Sequence, residues 1–532
     1  MAKFNSSSGN WAEASLVGQT TGPVTAKSKK TTTLAEGGLG YKQGAKSELF
    51  LLAVSCMLGE PTFYESADDR LERITKLTHK VTKKDPEWVA RFVPWLRNTA
   101  NMRTVSLVVA VEYLVAGGPN ARAVIDSAMS RADEPAEMLV YWMMFHDKRN
   151  PARFLKSPAL PQALRKGIGD AVNRLWTEYS VLKYDTNSRK LSFADVLNLC
   201  HVRNKDEATG ALFKYIIDTA YDREPNLTSL PKIEMQLAAR QIPIPERREK
   251  ITPELIDGAG FTWEQVSGWI GGELDGRIWD MLIPSMPYMA TLRNLRNFDE
   301  KGVSKASVDY VIKMLSDPEA VAKSRQFPYR FYNAYKNTSS DNWRKALSDA
   351  MDLACQNLPA FEGSSLILVD TSGSMTGGWS RSRNGSAPYE IAALLGAALT
   401  QKARTTGGKV DIVLYDDAKT SRLWNIPAGG SILRAVDDMR KQCKGGWTQT
   451  WETVDRWYKG HDRVIILTDE QTSDQPSKVV KSIPFLHIYN LNGYPSVSSD
   501  TSKPGRYRYG GFSDACFTLM ATLEQYSADW PF

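Results

Sequence analysis

Residues 365–374 read SLILVDTSGS. Ser365–Val369 form a short, nearly continuous apolar run, the pattern of a strand buried on both faces inside a parallel sheet. The run ends on Asp370 and passes straight into a hydroxyl-rich loop. Downstream, IAALLGAALTQKART (391–405) has helical spacing, KVDIVLYDD (409–417) reads as a strand, and SILRAVDDMRKQ (431–442) as a helix. RVIILTDE (463–470) and PFLHIYNL (484–491) read as two more strands. Strands alternating with helices predict a parallel sheet covered on both faces, so residues 359–532 are expected to form a doubly wound α/β domain.

In open α/β sheets, ligands gather beyond the carboxyl ends of the strands. Two strand ends here carry suitable groups. One has the spacing D-x-S-x-S at Asp370, Ser372 and Ser374, and the other ends at Asp469. Between them lies GGWTQT (445–450), with Thr448 and Thr450 after a Gly pair. Carboxylates and hydroxyls are hard oxygen donors suited to Mg²⁺ or Mn²⁺. Gly373 allows the loop to fold back so that both serines face one point. The competing reading is an Asx or Ser turn that caps the next helix.

These residues resemble the metal-ion-dependent adhesion site of von Willebrand factor A domains. The resemblance implies direct metal contacts from Ser372, Ser374 and Thr448, with Asp370 and Asp469 acting largely through water. It also implies one coordination position kept for a carboxylate or other anion of a partner, which makes the site a docking device. Trp447 departs from the family pattern by standing between the Gly pair and the Thr, and this leaves Thr448 against Thr450 open.

The chain of 532 residues is too long for one hydrophobic core, so two or more domains are expected. Residues 1–36 are polar, contain the run KSKKTTT, and are expected to be a flexible tail. Residues 37–358 are helical in pattern. SELFLLAVSCML, EWVARFVPWLRNTA, MRTVSLVVAVEYLVA, AEMLVYWMMF, ALFKYIIDTAY and SVDYVIKML each place apolar residues at helical spacing. Breakers such as Gly117-Gly118-Pro119 separate them. Many helices joined by short loops predict stacked pairs, a HEAT-like α-solenoid, although no clear period is visible and a compact bundle competes.

Composition bounds the rest. With 42% hydrophobic and 24% charged residues, no signal-like leader and no apolar run long enough to span a bilayer, a soluble chain without membrane contact is expected. Five scattered cysteines without a C-x-x-C pair suit a reduced, cytoplasmic protein. The formal charge is +7, and residues 361–532 hold 19 basic against 18 acidic residues, so the cationic excess lies in the helical part. That permits a nucleic-acid partner.

Several segments of the helical part resemble the Ro (TROVE-domain) ribonucleoprotein family. They are GGLGYKQGAKSELFLLAVSCMLGEPTFYES (37–66), NMRTVSLVVAVEYL (101–114), FADVLNLCHVRNK (193–205), IWDMLIPSMPYMATLRNLRNF (278–298) and FPYRFYNAYK (327–336). The resemblance implies a monomeric, ring-forming TROVE domain of helical repeats followed by the von Willebrand A domain. It implies binding of small noncoding RNA: Y RNA-like molecules on the outer surface, and single-stranded 3′ ends of misfolded RNA in the central hole. It further implies a possible exoribonuclease partner such as polynucleotide phosphorylase. By position, His201 matches the family's Y RNA-binding histidine, and Lys183 with one of Arg189 or Lys190 matches RNA-contacting cations.

Without the family, His201 is a residue at the end of an amphipathic segment beside Arg203 and Lys205. It reads either as a structural histidine or as a donor to phosphate or base. Lys148/Arg149/Arg153/Lys156, Arg165/Lys166 and Arg247/Arg248/Lys250 are further basic clusters, and most surface cations are merely solvated. Arg293 and Arg330 lie among apolar residues and suit either a hole lining or internal ion pairs. No zinc spacing, phosphate loop or nucleophile elbow is present, and no acid–base pair can be assembled, so no enzymatic activity is expected. An RNA-binding ring is the first expectation, a cation-dependent protein adaptor the second and a nuclease the third.

Overall fold

The computed structural model describes residues 31–33, 39–41, 45–55, 67–147, 159–186, 188–338, 340–360, 362–376, 387–426, 430–443, 445–491, 498–499, 505–510, 520–521, 523–524, 530 and 532. Their contacts group into two compact units. One holds 75–286 with 301–304, and the other holds 31–74, 287–300 and 305–532.

The first unit is helical, and the periodic segments fold as their spacing requires. EWVARFVPWLRNTA lies in the helix Pro86–Asn98, the next block in Arg103–Val115, AEMLVYWMMF in Glu134–Phe145 and ALFKYIIDTAY largely in Glu207–Ala220. The helix starts are written in the chain. Asp85 accepts from Trp88 N at 3.1 Å with Pro86 at the first helical position, while Thr177, Ser192, Asp206 and Thr262 each close a capping box. Helices near in sequence pack on each other, as in a stacked helical array. Aromatic packing fixes the contacts: Trp176 stacks on Phe193 at 4.1 Å and donates its indole N–H to Ala132 O at 2.9 Å.

This unit buries two charged clusters. Arg103 reaches Asp133 at 2.7 Å, Glu134 at 2.9 Å and Glu137 at 3.2 Å, and Arg97 adds a second guanidinium to Glu134 at 3.0 Å. Burial, partly offset by Arg103, pushes the Glu137 carboxyl up to about 7. In the other cluster, buried Glu112 lies within 2.7 Å of His79 Nε2 and of His146 Nε2, and accepts from Tyr141 Oη at 2.5 Å. Although burial opposes it, these hydrogen bonds, led by His146, hold the Glu112 carboxyl below its ordinary range. Hydrogen bonding to such partners offsets the cost of taking these charges out of water.

The second unit contains a six-stranded sheet in the order β5-β4-β3-β6-β7-β8. The strands are β3 (Ser364–Asp370), β4 (Lys409–Tyr415), β5 (Arg422–Leu423), β6 (Arg463–Thr468), β7 (Phe485–Asn490) and β8 (Arg506–Gly510). All neighbouring pairs are parallel except β4 with β5. The connection from β4 to β5 spans only residues 416–421, too short for a crossover, so the chain must reverse there. This makes the sheet mixed, with one short antiparallel edge on the expected parallel core. Leu366, Leu368, Val413, Val464, Ile466, Leu486 and Ile488 fill one face with Trp451 and Val454 from the helix Thr450–Trp457. The helix Pro388–Thr405, buried along most of its length, packs on β3 and β4.

Two elements were not legible. RYRYG alternates as a strand should, yet places cations at two of five positions. In the fold, Arg508 is buried against Glu470, and Tyr509 stacks on Tyr489 at 4.4 Å, which makes it β8. Thr31–Thr33, expected to be part of a flexible tail, form β1, which pairs antiparallel with β2 (Leu39–Tyr41). β-branched threonines suit that role.

Candidate functional site

The sheet order reverses at β3. The helix Pro388–Thr405 leads from β3 to β4 on one side, and the later strands β6, β7 and β8 continue on the other. The crevice between the carboxyl ends of β3 and β6 is therefore a topological switch point, and Asp370 and Asp469 stand there. Both are fully buried. Thr468 Oγ1 donates to one Asp370 oxygen at 2.6 Å, and Ser372 N donates to the other at 2.8 Å. Ser372 Oγ and Ser374 Oγ lie 3.2 Å apart.

The loop 445–449 closes over these groups. Gly373 N donates to Gly446 O at 3.3 Å, and a side chain on Gly446 would meet Asp416 Oδ2 at 3.0 Å, so the Gly pair admits a close approach of three loops. Thr448 is buried there. Its carbonyl accepts from Ser473 N at 3.1 Å and Ser473 Oγ at 3.0 Å. Thr450 has a different setting: its hydroxyl lies 3.2 Å from the Tyr415 hydroxyl, and it begins the helix Thr450–Trp457. Trp447 points outward, 77% exposed.

The donor set fits a small hard cation. Burial, followed by repulsion from Asp469, pushes the Asp370 carboxyl up to about 7, and the opposing influences are hydrogen bonds from Thr468 and Ser372. A buried carboxyl pushed up by a second one beside it, with the Ser372 and Ser374 hydroxyls on the adjoining loop, is an arrangement that a divalent ion relieves.

The expected RNA-contacting residues fall into different settings. His201 is exposed in the left-handed conformation (φ +50°) that ends the helix Phe193–Cys200, and Arg203 is exposed two residues on. Lys183 is half-buried at the end of the helix Glu178–Tyr184, and Lys190 is half-buried in the following loop. Arg189 is drawn inward, with Nη2 3.9 Å from Asp133 in the Arg103 cluster. Those five belong to the first unit, whereas Arg293 and Arg330 belong to the second. Arg293 is exposed on the helix Tyr288–Lys301, and Arg330 is half-buried on Pro328–Asn337. Lys148, Arg149, Arg153 and Lys156 lie outside the described residues. Arg247 donates to three carbonyls (Ile242, Trp269 and Arg240), so it serves the fold. Sequence reasoning missed the Glu112 and Arg103 clusters, whose members stand about thirty residues apart without a local pattern.

Comparison with known proteins bears on the chain as a whole. A family model described as the TROVE domain matches residues 260–357. "Telomerase protein component 1" of Rattus norvegicus is 22% identical over 338 residues, 55% of this chain and 13% of that protein. The Mus musculus protein of the same name is 38% identical over 76 residues, 14% of this chain and 3% of its own length. The chain thus spans a small fraction of both. "RNA-binding protein RO60" of Deinococcus radiodurans is 23% identical over 521 residues, covering 92% of this chain and 94% of that one. The crystal structure of the Deinococcus radiodurans RO (RSR) protein superposes with a TM-score of 0.68 at 18% identity, over 91% of this chain and all of that one. The shared fold is a helical TROVE domain with a von Willebrand A-like sheet domain. With a TROVE match over residues 260–357, an end-to-end bacterial relative at 23% identity and the same fold over 91% of its length, this chain is similar to the Ro (TROVE-domain) proteins.

Proposed function

We propose that this protein binds RNA, acting as a monomeric ring that holds small noncoding RNA for surveillance or as a ribonucleoprotein scaffold. The observation that carries the reading is the end-to-end likeness to a protein named for RNA binding. The exposed cap at His201 beside exposed Arg203 and Lys205 supports it, because an imidazole among cations meets phosphates and unpaired bases. In this reading a Y RNA-like molecule engages Lys183, Lys190, His201 and Arg203 on the outer surface, and single-stranded 3′ ends of misfolded RNA enter a central hole beside Arg293 and Arg330. Arg189 contributes by holding its loop through Asp133. An exoribonuclease such as polynucleotide phosphorylase is the expected protein partner, the cytoplasm the expected location, and no chemistry is catalysed.

The test is crosslinking and sequencing of RNA that copurifies with the tagged full chain, beside a Lys183→Ala/His201→Ala control. A few small structured RNAs, lost in the control, are expected. Background RNA alone in both samples refutes the reading. Affinity should also fall steeply with salt, because phosphate contacts release counterions.

A second reading rests on the buried Asp370–Asp469 pair: a cation-dependent protein adaptor. Here Ser372, Ser374 and Thr448 hold Mg²⁺ or Mn²⁺, and Asp370 and Asp469 orient its waters. The ion would supply a Lewis-acidic position for a partner's carboxylate. Loss of a protein partner in Asp370→Ala, with negligible RNA binding in the wild type, would select it.

A further inference from the structure

Two exposed tyrosines of the first unit each carry a cation. Tyr179, on the helix Glu178–Tyr184, is 42% exposed. Lys183 Nζ lies 5.2 Å from its ring centre and donates to its hydroxyl at 3.2 Å. The same ammonium lies 5.3 Å from the ring centre of Tyr184, over which the Arg131 guanidinium stands at 5.0 Å. Tyr221 is 57% exposed, with the Arg223 guanidinium 5.5 Å from its ring centre. Its hydroxyl accepts from Asn198 Nδ2 at 3.2 Å, on the helix that ends at His201.

Both rings are held in place. The turn at Gly260 is left-handed (φ +61°), and a side chain there would meet Tyr179 Cδ2 at 3.4 Å and Lys232 Cδ at 4.0 Å. The bare turn thus seats the tyrosine ring and the lysine stem together. An exposed ring gains little from burial, and one fixed by a cation and a hydrogen bond has already lost its rotamer freedom. Such a ring is preorganised for a flat partner.

We propose that Tyr179 and Tyr221 are stacking platforms for unpaired RNA bases, with Lys183 and Arg223 meeting the adjacent phosphates. The inference rests on the RNA-binding reading and adds to it two aromatic side chains that would hold unpaired bases near Lys183 and His201. At Tyr179, charge favours RNA over a protein ligand. Lys183 and Lys232 flank Tyr179, and Arg131 stands over neighbouring Tyr184. The adjacent Glu178 is committed to Lys232 N at 3.0 Å and Ile233 N at 3.1 Å. Base stacking on an aromatic side chain flanked by cations is how single strands are held without sequence preference.

The experiment measures binding of the full chain to a fluorescein-labelled oligoadenylate and to an RNA duplex of equal length. Tyr179→Ala and Tyr221→Ala should each weaken the single strand by roughly 5- to 150-fold, the range that stacking energies imply. Tyr179→Phe and Tyr221→Phe should lose much less than the Ala variants, because the stacking ring remains and only the hydroxyl contact that holds it is removed. The salt dependence of both Ala variants should stay as in the wild type, whereas Lys183→Ala lowers its slope by about 1. Thermal melting of each variant verifies folding. Equal binding of the oligoadenylate by wild type and the Ala variants overturns the proposal, as does an equal loss on single strand and duplex. Competition by inorganic polyphosphate as strong as by oligoadenylate overturns it too, since polyphosphate has no bases. If the wild type binds neither RNA, the RNA-binding reading itself falls, a result separable from a failure of the tyrosine variants alone.

Discussion

Thr468 Oγ1 donates to Asp370 Oδ2 at 2.6 Å, across 98 residues of chain. That bond ties the end of β6 to the end of β3 and places the Asp370 carboxylate beside Asp469 in a site closed to solvent. The relationship leaves two buried carboxylates side by side, and the consequences are measurable.

Asp370→Asn removes one of the two negative charges while keeping the shape of the group. Without metal, the Asp370→Asn variant should melt at or above the wild-type temperature, because repulsion from Asp469 is relieved. Wild type should gain stability with Mg²⁺, about 2.7 kcal/mol at a hundredfold excess over the dissociation constant, and the variant should gain little. Scanning calorimetry with and without Mg²⁺ checks both; an equal Mg²⁺ response in the two proteins would count against the cation site.

Thr448 and Thr450 should separate under isosteric substitution. Thr448→Val should weaken Mg²⁺ or Mn²⁺ binding measured by titration calorimetry, because it removes the hydroxyl on the loop that touches Gly373. Thr450→Val should leave metal affinity within about twofold and cost roughly 1 kcal/mol through the lost contact with Tyr415. The reverse ranking would assign the metal to Thr450.

Arg103 neutralises a buried acidic trio, so Arg103→Ala should destabilise the protein by about 3–5 kcal/mol in urea unfolding. Glu137→Gln should cost less than about 1 kcal/mol near neutral pH, where burial already favours its protonated form. A carboxyl whose folded-state pKa is raised to about 7 gains stability as pH falls from about 7 toward its unfolded value near 4.5. Wild type should therefore show this component and Glu137→Gln should lack it.

Glu524 opposes it at lower pH. His487 and Arg463 hold its carboxyl down to about 2 against burial, with His487 Nε2 at 2.9 Å and Arg463 Nε at 2.8 Å. Stability from this group is complete above the unfolded carboxylate value and is lost as pH falls toward about 2, amounting to about 3 kcal/mol. His487 acts in the same direction. Burial lowers its pKa, so below about 6.5 the unfolded chain takes up a proton that the native state refuses. Glu524→Gln should flatten the acid limb of a stability–pH profile; an unchanged limb would refute the assignment.

What the chain determined locally was read directly. Apolar runs and helical periods place β3, β4, β6, β7 and the main helices, because burial on one face or both imposes a period that needs no knowledge of partners. Asp370, Ser372 and Ser374 were legible for the same reason: three donors within five residues of a strand end form one loop. The features that tertiary structure alone decided share a different cause. Glu112 with His79 and His146, Arg103 with its acidic trio, and Thr468 on Asp370 join positions 30 to 98 residues apart. A burial penalty acts on each group in its final surroundings, and no local period records it. Arg189 shows the difference within one loop: its sequence setting matches an RNA-contacting cation, and its fold turns it toward Asp133. Tyr221 closes the helical segment ALFKYIIDTAY and Tyr179 stands in no motif, and only packing leaves both rings outside, each beside a cation.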